Sequence, residues 1–208
     1  MAQVLKDEAR FAIIKAAKQE FLEKGYKGAS MRSIAAKANM TVGNLYRYYK
    51  NKEDINLSIV TPTFKEIDSA LKNLTKNNVS METRVFNLKP DTNQLKDTLD
   101  DFADRLVDIY FAHKIEFNIL MLHSRLSEEM TSWFSEMINS MISQSFVMEG
   151  MNKDRDVLAR AYAESIFKGI QVIFRDADSQ APVLKVLLKT YLRSVLYMLD
   201  TDIRKFAQ

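Results

Sequence analysis

The sequence contains no cysteine among its 208 residues. Disulfide bonds, thiolate zinc sites and cysteine nucleophiles are therefore excluded. Glycine and proline are also scarce, with five and three residues, whereas all-β folds need many turn residues. This scarcity predicts long helices. A hydrophobic fraction of 47% beside 27% charged residues predicts a globular chain rather than a disordered one.

Long uncharged apolar runs are missing as well. No stretch approaches the roughly 18 apolar residues that a membrane span requires. The N-terminus is charged from Lys6 onward and lacks an apolar core long enough for a signal peptide. We therefore expect a soluble cytoplasmic protein with no membrane partner.

The basic residues are distributed unevenly along the chain. Residues 1–60 contain eleven Lys or Arg and six Asp or Glu, a net charge of +5, whereas the remainder carries a net charge of −2. A basic N-terminal part on a mildly acidic body favours a polyanionic partner for that part alone. Charge does not settle the partner, since many soluble domains differ by this much.

Apolar spacing and capping residues predict three helices near the N-terminus, over about residue 4 to Lys24, over 31–38 and over 42–48. Gly25 is placed to end the first helix, and Ser30 and Thr41 are placed to cap the other two. Asn39 lies in the tight turn between the short helices, where a left-handed conformation is needed. Two short helices joined by such a turn fit a helix-turn-helix, whose second helix enters the DNA major groove.

The alternative is a small helical bundle with no nucleic-acid role. Against it stand the side chains on and beside the second short helix, which combine hydroxyls, an amide, an arginine and lysines suited to phosphates and base edges. Glycine inside a helix costs about 1 kcal/mol relative to alanine, so Gly43 suggests a close backbone approach. The predicted DNA-binding residues are Ser30, Met31, Arg32, Thr41, Val42, Gly43, Asn44, Tyr46, Arg47, Tyr49, Lys50 and Lys52.

Three segments of this region closely resemble the N-terminal domain of TetR-family transcriptional regulators. They are Phe21-x-Glu23-Lys24-Gly25-Tyr26, Ser30-Met31-Arg32-x-Ile34-Ala35 and Thr41-Val42-Gly43-Asn44-Leu45-Tyr46-x-Tyr48-Tyr49-Lys50-Asn51-Lys52-Glu53. The resemblance covers about residues 9–57, roughly a quarter of the chain. Tyr49 and Asn39 stand where the family commonly has Phe and Gly. Asn44 stands where Thr, Ser or Ala is more frequent.

The resemblance implies a homodimeric repressor that binds double-stranded DNA at a near-palindromic operator. One short recognition helix reads few base pairs. The two DNA-binding domains of a dimer are therefore expected to bind half-sites about one helical turn, or a simple multiple, apart. We expect contacts to phosphates from Thr41, Tyr46, Tyr49 and Lys52. We expect contacts to bases from Val42, Asn44 and Arg47.

The expected fold is all-α, with a helix-turn-helix domain at 1–51, a connecting helix at 52–76 and a helical effector-binding and dimerisation domain at 77–208. Thr61-Pro62 predicts a kink or break in the connecting helix, either as a mechanical joint or as a simple domain boundary. Residues 77–91 are expected to form a loop. Five further helices are predicted over 92–112, 114–124, 128–149 (capped by Ser127), 155–176 and 182–205.

Aromatic residues and methionines cluster between residues 92 and 175. We expect a pocket there for a small hydrophobic effector, since such sites are apolar with few polar anchors; ordinary core packing is the alternative. Its predicted lining is Phe102, Leu106, Tyr110, His113, Phe117, Met121, Trp133, Met137, Met141 and Tyr162. Asn118 and Arg125 are further candidates to orient the ligand.

The last two predicted helices carry a ridge of small residues and more apolar surface than one packing face needs. A four-helix dimer interface would bury this surface, and the alternative is the core of the domain itself. The predicted interface residues are Ala161, Ser165, Gly169, Leu188, Leu192, Val195 and Leu199.

An all-α enzyme or metal-binding protein is the rival class, because His113 and Glu116 stand at i, i+3. His123 lies about 15 Å away along a shared helix and could not bind the same ion. The sequence has no glycine-rich phosphate loop and no activated-serine motif. We expect no enzymatic activity, no catalytic residue, no metal and no cofactor. A protein-binding helical adaptor, a third class, would not need the polar residues of 41–52.

Overall fold

The computed structural model describes residues 2–76, 92–121, 124–145, 152–177 and 180–206. Within these ranges the chain forms nine α-helices and no strand, which confirms the all-α fold. The helices are α1 (Ala2–Gly28), α2 (Met31–Lys37), α3 (Val42–Tyr46), α4 (Lys52–Lys76), α5 (Thr92–Ala112), α6 (Lys114–Met121), α7 (Ser124–Ser145), α8 (Asn152–Asp176) and α9 (Ala181–Phe206).

The backbone of α1 is interrupted at Gly25, as predicted, although a helical turn continues to Gly28. Gly25 has φ 67° and ψ 169°, a conformation that side-chain-bearing residues rarely adopt. α3 is shorter than predicted and ends at Tyr46, and Arg47 and Tyr48 continue the chain as a turn.

α4 runs from Lys52 to Lys76 through Pro62 without a break, so the break expected at this proline is not present. Proline removes one hydrogen bond to the preceding turn. Pro62 lies on the exposed side of the helix, where water can hydrate the carbonyl that has lost its partner. The helix therefore tolerates this residue.

α7 begins at Ser124, four residues before the predicted start. Ser127 therefore lies inside the helix instead of capping it. α5, α8 and α9 lie within three residues of their predicted ends. The predicted loop at 77–91 lies outside the described residues.

The chain divides into two compact units. The head unit comprises residues 1–66 and 113–123, and the body unit comprises residues 67–112 and 124–208. In the head unit α2 packs against α1 and α3, and α6 also packs against α1. In the body unit α7 packs along α8, and α9 packs against α5 and α8. The division passes within α4 rather than at either of its ends.

Both units bury aliphatic and aromatic side chains. Those of the head unit include Ile13, Ala17, Ile34, Leu45 and Ile55. Those of the body unit include Phe102, Leu106, Ile138, Ile170 and Leu188. No helix among the described residues is long and apolar enough to cross a membrane.

Three ion pairs join α5 to α9 in the body unit. Lys185 contacts Asp108 at 2.7 Å and Lys189 contacts Asp104 at 2.8 Å. Arg193 holds Asp100 through two nitrogens, with Nε donating to Oδ1 at 2.8 Å. The paired residues are four positions apart in each helix, and their numbers rise along α9 as they fall along α5. The three ion pairs therefore form an antiparallel ladder.

Candidate nucleic-acid interface

The start of α2 is fixed by a reciprocal capping box. Ser30 Oγ accepts a hydrogen bond from the backbone of Ser33, and Ser33 Oγ accepts one from the backbone of Ser30, both at 3.1 Å. This pair satisfies two backbone N–H groups that a helix start otherwise leaves unpaired. The Ser30 hydroxyl, a predicted DNA contact, therefore has a structural role in the head unit.

The turn between α2 and α3 has the predicted geometry. Asn39 adopts φ 54°, the left-handed conformation expected at this position. Thr41 then caps α3, because its Oγ1 accepts a hydrogen bond from the backbone of Asn44 at 3.2 Å. A hydroxyl that accepts one bond still has a proton to donate, so Thr41 remains able to bind a phosphate oxygen.

α3 buries one apolar residue and presents polar residues on its other sides. Leu45 is fully buried, whereas Gly43, Tyr46 and Arg47 are exposed. A Cβ atom built on Gly43 would meet no atom within 4 Å. The chain's own packing therefore does not require glycine at this position.

The remaining predicted contacts surround this helix. Arg32 and Lys50 are exposed, and Met31, Val42, Asn44 and Tyr49 are half-buried. Among the described residues, no carboxylate lies within ion-pair distance of Arg32, Arg47 or Lys50. These cations are thus available to an external anion.

Lys52 differs from the expectation. Its Nζ donates hydrogen bonds to the carbonyl oxygens of Tyr26 at 2.6 Å and Ala29 at 2.8 Å. It also lies 4.4 Å from the centre of the Tyr26 ring. The ammonium group predicted to hold a phosphate is occupied within the chain.

The Tyr26 hydroxyl donates to Glu53 Oε2 at 2.6 Å. Burial and the adjacent Glu53 carboxylate raise the pKa of Tyr26 to about 12. The sequence analysis gave neither Tyr26 nor Glu53 a tertiary partner. No local pattern reveals a contact between residues so far apart in the chain.

The head unit also contains a buried carboxylate that the sequence prediction missed. Glu20 is fully buried and contacts Lys24 at 2.8 Å and Lys37 at 3.3 Å. The Lys24 ammonium group, helped by that of Lys37, lowers the pKa of Glu20 to about 2 against the opposing effect of burial. The sequence did contain a signal for this burial: Glu20 stands among the apolar residues that recur along one side of α1.

The residues predicted to bind an effector are divided between the two units. His113, Phe117 and Met121 belong to the head unit, and the other seven belong to the body unit. Phe102, Leu106, Tyr110, Phe117 and Met121 are buried, whereas His113, Trp133, Met137 and Tyr162 are half-buried. Met141 and Arg125 have side chains outside the described residues.

A cavity of about 370 Å³ lies between α7 and α8 in the body unit. Its lining is polar: Glu128, Thr131, Ser132, Ser135, Arg160 and Glu164. It therefore involves none of the residues predicted to bind the effector.

The residues predicted at a dimer interface do not share one surface. Leu188, Leu192 and Leu199 are buried within the chain, so these three side chains are not free to contact a partner. Gly169 lies against the ring of Tyr191, whose hydroxyl donates to the carbonyl of Ser165 at 2.8 Å. The small residue at 169 thus serves packing of α8 against α9.

Ala161 and Ser165 are exposed and Val195 is half-buried. The exposed apolar residues of α8 and α9 lie elsewhere on these helices. They are Val157, Leu158 and Val172 on α8, and Val183, Val186, Leu187, Tyr197 and Met198 on α9.

His113 and Glu116, the two residues considered as metal ligands, pair with other side chains. His113 Nε2 lies 3.1 Å from Glu66, and Glu116 pairs with Lys18. Among the described residues, no three His, Asp or Glu side chains come together as metal ligands. His123 lies outside the described residues.

Comparison with known proteins finds matches to the N-terminal region of the chain. Residues 13–59 match the family model for bacterial regulatory proteins of the tetR family. The HTH-type transcriptional repressor KstR of Rhodococcus jostii (strain RHA1) is 41% identical over 49 residues, 24% of this chain and 23% of KstR. The chain thus spans about a quarter of the length of the curated relatives it matches.

Solved structures extend the likeness to the whole fold. A TetR-like transcriptional regulator from Rhodococcus sp. RHA1 superposes with a TM-score of 0.56 at 14% identity, covering 88% of this chain and 92% of that one. SmeT, the repressor of the Stenotrophomonas maltophilia multidrug efflux pump SmeDEF, gives 0.54 at 15% identity, covering 91% and 89%. Residues 13–59 are thus similar to the tetR family of bacterial regulatory proteins, and the chain shares its all-α fold with the solved regulators.

Proposed function

We propose that the chain is a sequence-specific DNA-binding transcriptional repressor that acts in the cytoplasm. The observation that carries this proposal is the surface around α3, where Arg32, Arg47 and Lys50 are exposed without acidic partners among the described residues. A relative named as a repressor, KstR, matches this same region. We also propose that the chain is not an enzyme, because the region that it shares with known proteins matches a family of regulatory proteins.

Within this surface, Asn44 and Arg47 read base edges, and Thr41, Tyr46 and Lys50 hold phosphates. An amide or guanidinium group binds a base edge through two hydrogen bonds, worth about 1–3 kcal/mol of discrimination per base pair. Contacts to phosphates carry no sequence information but release counterions.

Selection of duplexes from a randomised library by the wild-type protein tests the proposal. The affinity for a selected duplex and for a scrambled duplex of the same composition is then measured against salt concentration. Asn44→Ala and Arg47→Ala should lose preference at particular base pairs. Arg105→Ala, which removes an exposed arginine of the body unit, is the matched control and should leave preference intact. Failure to select any sequence would refute the proposal.

We further propose that the repressor is a homodimer on a near-palindromic operator. The exposed apolar residues of α8 and α9, among them Tyr197 at 73% and Leu187 at 43% exposure, supply the surface for a second copy. Burying such a surface is favourable by about 25 cal/mol per Å². Two heads then double the number of base pairs that are read.

Leu187→Glu and Tyr197→Glu should convert the dimer to a monomer in sedimentation experiments. Phe11→Glu changes an equally exposed aromatic residue of the head unit, at 72% exposure, and should leave the dimer unchanged. A wild-type monomer at micromolar concentration, or dimers for all three variants, would overturn this assignment.

Release by a small hydrophobic effector completes the proposed function. Its support is the aromatic and methionine content of the body unit. Because Phe102 and Leu106 are at most 2% exposed, a ligand must displace core packing, whereas the polar cavity at Ser135 is open already.

A thermal-shift screen of hydrophobic and polar compounds distinguishes these two locations. Ser135→Trp fills the polar cavity and leaves the aromatic core intact. A hydrophobic compound whose thermal shift survives Ser135→Trp and which weakens operator binding supports the proposal. Compounds that act only through the polar cavity, or that leave operator affinity unchanged, contradict it.

A further inference from the structure

Lys52 lies at the first position of α4, and its ammonium group faces the end of α1. Two of its donors bind the carbonyl oxygens of Tyr26 and Ala29, and the group also lies over the Tyr26 ring. The next residue, Glu53, accepts the Tyr26 hydroxyl. Two consecutive residues of α4 therefore hold the same short segment at the α1–α2 corner.

The carbonyl groups at the end of α1 explain the attraction. The last carbonyls of a helix lack N–H partners and carry partial negative charge. A cation placed there satisfies them, and its contact with an aromatic face adds to the attraction. Two of the three N–H donors of Lys52 are bound within the chain, so at most one is left for a phosphate.

We propose that Lys52 is a positioning residue that, with Tyr26 and Glu53, clamps the start of α4 to the α1–α2 corner and thereby fixes the orientation of α3, without contacting DNA. This inference rests on the proposed DNA-binding function. Position and charge alone predict a phosphate contact for this lysine, and the proposal replaces that contact with a role in positioning α3.

The chain path explains why this clamp controls α3. α3 enters from α2 through the Asn39 turn and leaves to α4 through residues 47–51. The entrance is held by packing of α2 on α1. The clamp holds the exit, so both ends of the five-residue recognition helix α3 are fixed in position relative to α1.

Lys52→Met and Lys50→Met form a matched pair for the test, because only Lys52 has its ammonium group bound within the chain. Each variant is measured on the selected and the scrambled duplex across a salt series, at a temperature where thermal melts show it folded. Lys50→Met should weaken both duplexes and lower the log–log salt slope by about 0.9. Lys52→Met should leave that slope unchanged.

The positioning role adds two expectations. Lys52→Met should lose about tenfold in affinity for the selected duplex with little change for the scrambled one, the scale of one hydrogen-bonded charge. Its melting temperature should fall by a few degrees. Tyr26→Phe should show a weaker form of the same pattern, and Lys52→Arg should restore selectivity.

A lowered salt slope for Lys52→Met, with unchanged melting temperature and selectivity, would show a phosphate contact and overturn the proposal. Loss of stability with unchanged selectivity would overturn the positioning role as well. If wild-type protein selects no duplex, the DNA-binding function fails. The clamp itself is then judged by whether Lys52→Met and Tyr26→Phe are non-additive in thermal melts.

Discussion

The two units use their charged side chains in different ways. Around α3 the head unit leaves Arg32, Arg47 and Lys50 exposed and without acidic partners among the described residues. On α9 the body unit pairs Lys185 and its two successors in the ladder with aspartates of α5. Free cations suit binding of an external polyanion, whereas paired cations contribute to the chain's own packing.

Two glycines show the same contrast. The space beside Gly43 in the head unit is open, whereas Gly169 in the body unit lies against the Tyr191 ring. Gly43 therefore leaves room for a group outside the chain, whereas Gly169 is packed within the body unit. Four experiments test this difference.

Gly169→Ala should destabilise the protein most. The added methyl group would overlap the ring of Tyr191, which must move and lose its hydrogen bond to the Ser165 carbonyl. Overpacking of this kind costs about 1–3 kcal/mol, measurable by urea unfolding. In a Tyr191→Ala background, Gly169→Ala should cost less than it does in the wild-type chain, because the obstructing ring is gone. An unchanged unfolding midpoint for the single variant would contradict the close packing.

Away from α3 the head unit also pairs its charges, and there Glu20 is a buried carboxylate between two lysines. Its pKa is about 2 in the folded chain against an ordinary 4.5, so the unfolded chain binds more protons between these values. The stabilisation is therefore present above about pH 4.5 and is lost as the pH falls toward 2.

Glu20→Gln should lower stability at neutral pH by about 1 kcal/mol, the value of a typical hydrogen bond. It should also flatten the dependence of the melting temperature on pH in this acidic window. Asp176→Asn is the control, because Asp176 pairs with Arg175 on the exposed surface. A control profile that flattens as much as that of Glu20→Gln would show that the pairing of Glu20 contributes no more than that of an exposed carboxylate.

These cases show where sequence patterns suffice and where they do not. Periodicity and caps such as Ser30 and Thr41 act within a few residues, and the helices of the head could be predicted from them. Lys52 was assigned to DNA, because its carbonyl partners Tyr26 and Ala29 lie 26 and 23 residues away in the chain. Whether such a charge is free depends on tertiary packing, which local spacing does not encode.

The same reasoning applies to the dimer prediction. The apolar positions of α9 are regular on two sides, and periodicity cannot decide which side faces the chain's own core. The structure buries Leu188 and Leu192 and exposes Val186 and Tyr197. Three of the residues predicted at the interface, Leu188, Leu192 and Leu199, therefore lie in the chain's own core, and the interface itself stays a prediction.

Gly43→Ala should have the opposite sign to Gly169→Ala. With nothing within 4 Å of the added atom, alanine should raise stability by up to about 0.5–1 kcal/mol through its higher helix propensity. If DNA approaches the backbone here, the same variant should bind the selected duplex less tightly. Higher stability with unchanged DNA affinity would show that the open space is not used for recognition.

The ladder between α5 and α9 should give the smallest effect. Lys189 and Asp104 are 2.8 Å apart, but both side chains keep a quarter or more of their surface exposed. Exposed pairs are stabilising by only about 0.2–1 kcal/mol, because water screens them and ordering long side chains costs entropy.

A double-mutant cycle with Asp104→Asn and Lys189→Met should give a coupling energy in this range, and it should largely disappear in about 1 M salt. The exchanged pair Asp104→Lys with Lys189→Asp should recover most of the coupling. A coupling well above this range that persists in high salt would show that the ladder determines how α9 packs on α5, and the contrast between the two units would then lie in strength as well as in partner.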